Sequence, residues 1–329
     1  MSTDTQQSTS SGRRPSPAAI VLIPLAVALV VALFAWPSSR QEPRDLPVAV
    51  AGPPAAAQAI EHQLTAHEGA FDVHRYPDEA AARAAIEDRD VYGAFVATPT
   101  GQKLLTASAA SSSVAQVLTQ AATEGQAPTE TATVQVEDIV SAPPASTGLS
   151  SAVFPLILAG TLTGLAAMSL ASSGLARAGL LVTGATLGGL AATAIVQGWL
   201  DVVGGDWAAN AAVLSLMIMA IGSFVAGMQA LFGHVGGAVA GATMVFLGNP
   251  FSGVGSGPEM LPEPVGLIGQ LMPPGAGGNL LRSTGFFDGA AAGEHLAVLG
   301  TWVVVGLAGL LVAALRDARP AAVQVPVMA

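Results

Sequence analysis

Long apolar runs separated by short polar stretches dominate the 329-residue chain. A helix needs roughly 20 apolar residues to cross a bilayer core of about 30 Å, and six runs approach that length. The first run exceeds the apolar core of a typical signal peptide, which favours an uncleaved anchor over a cleaved signal. The six predicted transmembrane helices are residues 18–36, 152–171, 178–200, 207–227, 230–247 and 295–315.

Between the first two runs, residues 37–150 alternate between short strand-like and helix-like stretches. LPVAVAG and FDVHRY have the character of strands, whereas PDEAAARAAIEDRD begins with Pro and acids and continues with helix formers. The predicted order is β-α-β-α-β-β-α-β. The predicted fold class is therefore a membrane protein, mainly an α-helical bundle, with an inserted extracytoplasmic α/β domain that is long enough for a core of its own.

Composition agrees with a membrane protein. The chain is 51% hydrophobic and only 10% charged, with a mean hydropathy of +0.58, whereas about a quarter of the residues of a soluble domain are charged. Cysteine is absent, which excludes disulfides, thiolate metal sites and thiol redox motifs.

The positions of the basic residues predict the orientation in the membrane, because cytoplasmic loops carry an excess of Lys and Arg. The basic residues of the short segments beside the spans fall on one side if the N-terminus is cytoplasmic: Arg13, Arg14, Arg177, Arg316 and Arg319. We therefore expect a multi-pass plasma-membrane protein with a disordered cytoplasmic tail at 1–17, a cytoplasmic tail at 316–329 and residues 37–150 outside.

One segment fits neither a span nor a surface loop. Residues 249–294 lie on the predicted outer side of the five-helix domain 151–315, and Pro and Gly divide their apolar pieces. Irregular backbone at membrane depth is tolerated only where it packs on protein or lines a cavity, so we expect short interfacial helices or a shallow re-entrant pair, serving as a gate or as a buried plug. The candidate gate and path residues are Asn249, Pro250, Gly253, Pro262, Gly266, Gln270, Pro273, Pro274, Gly275, Arg282, Phe286, Phe287 and Asp288.

Arg282 is the only basic residue of that segment. Three roles are open for it: contact with an anionic headgroup, an ion pair with Asp288, or anchoring at the interface. Phe286 and Phe287 are expected at headgroup depth.

Small residues recur at intervals of four along the predicted spans, which places them on one face of a helix and lets backbones approach closely. This spacing favours tight packing within the chain, with dimerisation as the alternative. The residues are Gly160, Gly164, Gly184, Gly188, Gly233, Gly237 and Gly241.

Catalytic motifs are not found. The only lysine, Lys103, lies in the α/β domain, so a Walker A loop is excluded, and neither G-x-S-x-G nor H-E-x-x-H occurs. The spacing of His62, His67 and His74 favours surface residues over a zinc site. We predict no enzyme activity, no cofactor, no metal and no nucleic-acid partner.

Together, the order of elements and several stretches resemble the membrane subunits of ABC-2-type exporters, and more closely the YhgE/Pip-like membrane proteins common in actinobacteria. The stretches are DRDVYGAFV, LLTASAASSSVAQVL, GNPFSG and LPEPVGLIGQLMPPGAGGNLLRSTGFFDG. The resemblance implies a homodimeric permease half, in contact with membrane lipids, whose last external segment closes the outer end of a path. It also implies a separate ATP-binding cassette subunit.

Two functions follow as hypotheses. In the first, the chain is a permease-like subunit that moves an amphiphilic or lipid-like compound outward with a separate ATPase. In the second, it is a non-transporting surface scaffold or receptor that acts through the α/β domain. The very short cytoplasmic loops favour the second hypothesis, and the elaborate external segment favours the first.

Overall fold

A computed structural model describes residues 17–99, 101–124 and 134–318 of the chain. The protein is mostly helical and has one small mixed sheet. The predictions for the tails fall largely outside the described residues: Pro17 already begins the first helix, and the last helix continues to Asp317.

Five of the described helices are long and apolar enough to cross a membrane. They are α1 (Pro17–Ser39), α5 (Leu149–Leu170), α6 (Gly174–Val196), α7 (Trp207–Thr243) and α10 (Ala292–Asp317). The sequence predicted six spans, and the difference lies in α7, whose 37 residues cover the predicted spans 207–227 and 230–247.

Helix α7 folds back on itself at Gly233. There the backbone leaves the helical region, with φ 70° and ψ −161°, a conformation that glycine adopts without a Cβ penalty. A Cβ atom on Gly160 would lie 2.7 Å from the Cβ of Ile221, and one on Gly241 would lie 3.0 Å from the Cγ2 of Thr161. Neighbouring positions of α5 thus meet positions 221 and 241, which a straight helix would separate by about 30 Å.

The α/β domain follows α1 and contains the strands and helices in the order that the sequence predicted. Its elements are β1 (Leu46–Ala51), α2 (Pro54–Thr65), β2 (Phe71–Tyr76), α3 (Glu79–Glu87), β3 (Gly93–Thr98), β4 (Gly101–Thr106), α4 (Ser112–Glu124) and β5 (Gln135–Asp138). The strand order is β2-β1-β3-β4-β5. Only the β3–β4 pair is antiparallel, which is the expected geometry of the short β3–β4 hairpin.

Each face of the sheet has an apolar core, and the distant segment 249–291 contributes to both. Met260 packs with Leu64, Phe95 and Leu118 on the face covered by α2 and α4. Phe287 packs with Ile86 on the face covered by α3. Phe287 therefore faces protein, since only 6% of it is exposed, and its expected position at headgroup depth stays a prediction.

Segment 249–291, called here the junction segment, contains helices α8 (Val265–Gln270) and α9 (Pro273–Phe286). Helix α9 has 14 residues, which span only about 21 Å at the helical rise and are too short to cross a bilayer. Almost all of α9 is buried, and it packs against α5, α7 and α10. A Cβ atom on Gly277 would lie 2.6 Å from the sulfur of Met217 in α7.

The glycines that the sequence singled out contact neighbouring parts of the same chain, except at the α7 fold. Gly164 lies against the backbone of Gly222, Gly184 against Thr163, Gly188 against Ile218 and Gly237 against Gln229. Around Gly233 an added Cβ would meet nothing within 4 Å, so this glycine serves the backbone conformation and not close packing.

Replacing Gly164 by leucine should destabilise the bundle, because a Cβ there would lie 2.5 Å from the carbonyl oxygen of Gly222. The expected loss is about 1–3 kcal/mol or more, typical of overpacking against an atom that cannot yield. Thermal unfolding in detergent measures it. Gly179→Leu is the matched control, because nothing lies within 4 Å of a Cβ at Gly179; equal melting temperatures for the two variants would contradict the packing described here.

Candidate functional site

The junction between the α/β domain and the junction segment is centred on Arg89. This residue follows α3 with a left-handed φ of 65°, so it ends the helix and turns its side chain toward α9. Its Nη1 donates hydrogen bonds to the carbonyl oxygen of Asn279 (3.0 Å) and to Oγ of Ser283 (2.6 Å). Its Nη2 donates to Oδ1 of Asn279 at 3.2 Å. The guanidinium carbon also lies 5.3 Å from the ring centroid of Phe287, within cation–π range.

Asn279 connects Arg89 to the rest of the junction segment through hydrogen bonds. Its Nδ2 donates to Oε1 of Gln270 at 2.6 Å, and Nε2 of Gln270 donates to the carbonyl oxygen of Ser252 at 2.8 Å. Amide side chains thus connect three parts of the junction segment, namely the turn at Ser252, α8 and α9. Because buried polar groups need partners, the loss of one member leaves its neighbours unsatisfied.

A second contact joins Tyr92 to Glu259. The Tyr92 hydroxyl donates to Oε2 of Glu259 at 2.7 Å. Burial, with the Glu259 charge and hydrogen bond, raises the pKa of Tyr92 well above its ordinary value. Beside it, the chain that follows α1 pairs with the same stretch, because the amide of Arg44 donates to the carbonyl oxygen of Glu259 at 3.0 Å.

The structure also answers part of the question that the sequence left open for Arg282. Only 7% of Arg282 is exposed, and its Nη2 donates to the carbonyl oxygen of Val254. Burial lowers the pKa of Arg282 to about 10 and also lowers the pKa of Arg89. Within the described ranges no carboxylate is in ion-pair distance of Arg282, so the proposed pair with Asp288 is wrong.

A cavity of about 350 Å³, the junction cavity, opens between the α/β domain, the junction segment and the first turn of α10. Its wall combines apolar side chains with charged and polar ones, so it offers both kinds of contact that an amphiphile needs. The apolar part includes Leu267, Leu271 and Val298, and the polar part includes Arg89, Glu259, Asn279, Gln270, Glu294 and His295.

Polar side chains also connect α9 to the helices of the bundle through hydrogen bonds. Oγ1 of Thr284 donates to Oδ1 of Asn210 at 2.6 Å, and Nδ2 of Asn210 donates to Oε1 of Gln197 at 2.9 Å. Asn210 also donates to the carbonyl oxygen of Gly204 at 2.7 Å. Asn210, fully buried, thus has partners for its amide and serves to position α9.

Of the predicted gate and path residues, the structure brings Gln270 to the junction cavity and Phe287 against Arg89. The others form the turns and the packed body of the junction segment. Pro262, Gly266, Pro273 and Pro274 are buried, Asn249, Pro250 and Phe286 are half-buried, and Asp288 is exposed. Gly253 has a φ of 64°, and a Cβ on Gly275 would lie 2.2 Å from the carbonyl oxygen of Gly269.

Sequence reasoning missed Arg89, Tyr92, Glu259 and Asn279. The first two belong to the stretch DRDVYGAFV, which contributed only to the resemblance. A basic residue next to acids predicts a solvent-exposed surface position. The contacts that cover Arg89 come from a segment far along the chain.

The histidines do not converge on a metal site. His74 Nε2 lies 3.0 Å from Oδ2 of Asp72 at the exposed surface. Among the residues that the structure describes, no group of three or more His, Cys, Asp or Glu could hold a metal ion.

Comparison with protein-family models, with curated proteins and with solved structures found no match to this chain.

The pKa shift of Tyr92 predicts how the junction responds to alkali. Because the raised pKa means that the folded state holds this proton more tightly, the stabilisation is fully present below about pH 10, the pKa of an unfolded tyrosine, and is lost as the pH rises through the folded pKa. The chain has two tyrosines, and burial raises the pKa of Tyr76 as well, but less strongly.

Ultraviolet titration of the phenolates should therefore show two separate steps, of which Tyr92→Phe removes the later one. Tyr76→Phe is the matched control and should remove the earlier step. Ionisation of both tyrosines together near their ordinary pKa would contradict the buried junction.

Proposed function

We propose that the chain is a permease-like subunit of an ABC-2-type exporter that moves an amphiphilic or lipid-like compound outward with a separate ATPase. The observation that carries the proposal is the junction cavity, which lies where the α/β domain and the junction segment meet the first turn of α10. A cargo with an apolar chain and a polar head would find a partner for each part in this wall. The resemblance to ABC-2-type and YhgE/Pip-like proteins supports the same function.

The orientation in the membrane is part of this proposal. The two arms of α7 on either side of Gly233 would each cross the bilayer, giving six crossings with α1, α5, α6 and α10. The N- and C-termini would then be cytoplasmic, and residues 37–150 would lie outside the plasma membrane. This arrangement puts the α/β domain and the junction segment on the same side, as their contacts require.

The proposed role is non-catalytic, with energy supplied by another protein. Lys103, the only lysine, lies on β4 with its Nζ 2.7 Å from Glu79 and 2.8 Å from Glu137. These ion pairs hold it within the α/β domain, and the proposal assigns the energy supply to a separate ATP-binding cassette subunit. No cofactor or metal is part of the proposal.

A homodimer completes the proposed assembly. Only 6% of the apolar window of α1 is buried in the single chain, compared with 67% for α7. The exposed surface of α1 is therefore available to lipid or to a second copy.

The alternative, a surface scaffold or receptor, is favoured by one specific observation. On the proposed inner side, α5 and α6 are joined by residues 171–173 alone, and α7 folds back at a single glycine. Such short connections offer an ATPase little surface. In this alternative the α/β domain would bind an external partner, and the helices would serve as its anchor.

Cysteine labelling tests the proposed orientation, because the chain has no cysteine of its own. Ser172→Cys and His234→Cys should react with a membrane-impermeant maleimide only after the cells are opened, and Glu68→Cys should react in intact cells. All three residues are exposed in the single chain. Labelling of Ser172→Cys or His234→Cys in intact cells would contradict this orientation.

Gentle purification from native membranes followed by mass spectrometry tests the function. The permease proposal predicts an ATP-binding cassette protein in stoichiometric amount. Val235→Trp is the matched variant, because it adds bulk beside the α7 fold on the proposed inner side. It should weaken the association with the ATP-binding cassette protein. The fold should stay intact, because Val235 is 73% exposed. Recovery of the chain alone, or with an external partner only, would contradict ATP-driven transport and favour the scaffold.

A further inference from the structure

A second cavity, of about 270 Å³, lies between the α/β domain, the start of α5 and the junction segment. It is lined mainly by hydroxyl groups and a single charge, and we call it the serine cavity. Its lining includes Ser112, Ser113, Ser146, Thr147, Ser150 and Arg282. It shares no lining residue with the junction cavity.

Arg282 brings an unpaired positive charge to this cavity. The side chain is 7% exposed, and its one hydrogen bond among the described residues goes to the carbonyl oxygen of Val254. Four of the five guanidinium N–H donors are therefore left over. A buried charge is costly unless it is paired. Besides burial, the two groups that affect the pKa of Arg282 are Tyr92, which raises it, and Arg89, which has the same sign of charge and lowers it.

The first turn of α4 supplies further donors. Ser111 caps this helix, because its Oγ accepts from the amide of Val114 at 3.2 Å and donates to the carbonyl oxygen of Ser256 at 2.8 Å. The amides of Ser112 and Ser113 precede the first intrahelical hydrogen bonds, and both residues line the cavity. A helix N-terminus of this kind favours an anion.

Hydroxyl groups of the lining add further possible donors. Those of Ser112 and Ser146 have no hydrogen-bond partner among the described residues. The carboxylate connected to the lining is Asp138, and it is held by Oγ and the amide of Ser108 at the edge of the α/β domain. It forms no ion pair with Arg282.

We propose that the serine cavity binds a phosphate-type oxyanion. A phosphate group offers several acceptor oxygens and matches a buried guanidinium, helix-terminal amides and hydroxyls together. A volume of about 270 Å³ accommodates such a group but not a large ligand. The phosphate belongs either to the headgroup of a phospholipid or to free inorganic phosphate. A phospholipid is within reach because α5, whose start borders the cavity, is one of the helices long and apolar enough to cross a membrane. The site does not depend on the proposed transport.

Two arms of one experiment distinguish these sources in the full-length protein. Calorimetry with inorganic phosphate, after delipidation in detergent, measures free phosphate. Native mass spectrometry with phosphatidylglycerol measures a lipid headgroup, and diacylglycerol, which has no phosphate, is the negative probe. Binding in either arm that depends on Arg282 supports the site, and the arm in which it occurs names the source.

Arg282→Gln should weaken binding about tenfold or more, since it removes hydrogen bonds from a charged donor, and Arg282→Lys should restore part of it. Because a buried substitution can disturb folding, the double variant Ser112→Ala with Ser146→Ala provides a second test and should also weaken binding. Arg75→Gln is the control, because Arg75 pairs with Glu61 on the outer surface. Absence of binding in both arms, or equal binding by all these variants, would overturn the site.

Discussion

The hydrogen bonds of Arg89 to Asn279 join two parts of the chain that are 190 residues apart. A guanidinium loses its hydration when it is buried, so it is stable in such a place only if acceptors replace the water. Here the carbonyl and side chain of Asn279 and the hydroxyl of Ser283 replace it. All three acceptors belong to α9, so the α/β domain meets this requirement only while α9 is in place.

The remaining contacts of the junction follow from that constraint. With α9 fixed, Phe287 packs on one face of the sheet and Met260 on the other, so the segment contributes to both apolar cores of a domain that precedes it in sequence. The same placement leaves two separate cavities beside α9, the junction cavity and the hydroxyl-lined serine cavity. In the proposed exporter, a cargo path would open at the junction only if these polar contacts exchanged partners, and the junction segment would then be its outer gate.

Local pattern was sufficient to predict the strands, most helices and the apolar helices, because period and length are properties of short stretches. It placed the break between the predicted spans 207–227 and 230–247, whereas α7 folds back at Gly233. Gly233 looks like the other spaced glycines, and its left-handed backbone depends on tertiary packing. At the site, the Pro and Gly content marked the junction segment, and its single arginine drew attention to Arg282. Arg89 and Glu259 escaped notice because their contacts arise from pairing between distant segments, which no local pattern records.

Hydrogen–deuterium exchange of the full-length protein, read by mass spectrometry, tests most directly whether the junction holds the external segment in place. Amides of core elements exchange at the global stability, and those of loosely held segments exchange much faster. The account predicts that α9 is protected as strongly as the buried half of α7. It also predicts that Arg89→Gln accelerates exchange in α9, whereas Arg75→Gln does not. Fast exchange of α9 in the unmodified protein, or unchanged protection in Arg89→Gln, would contradict it.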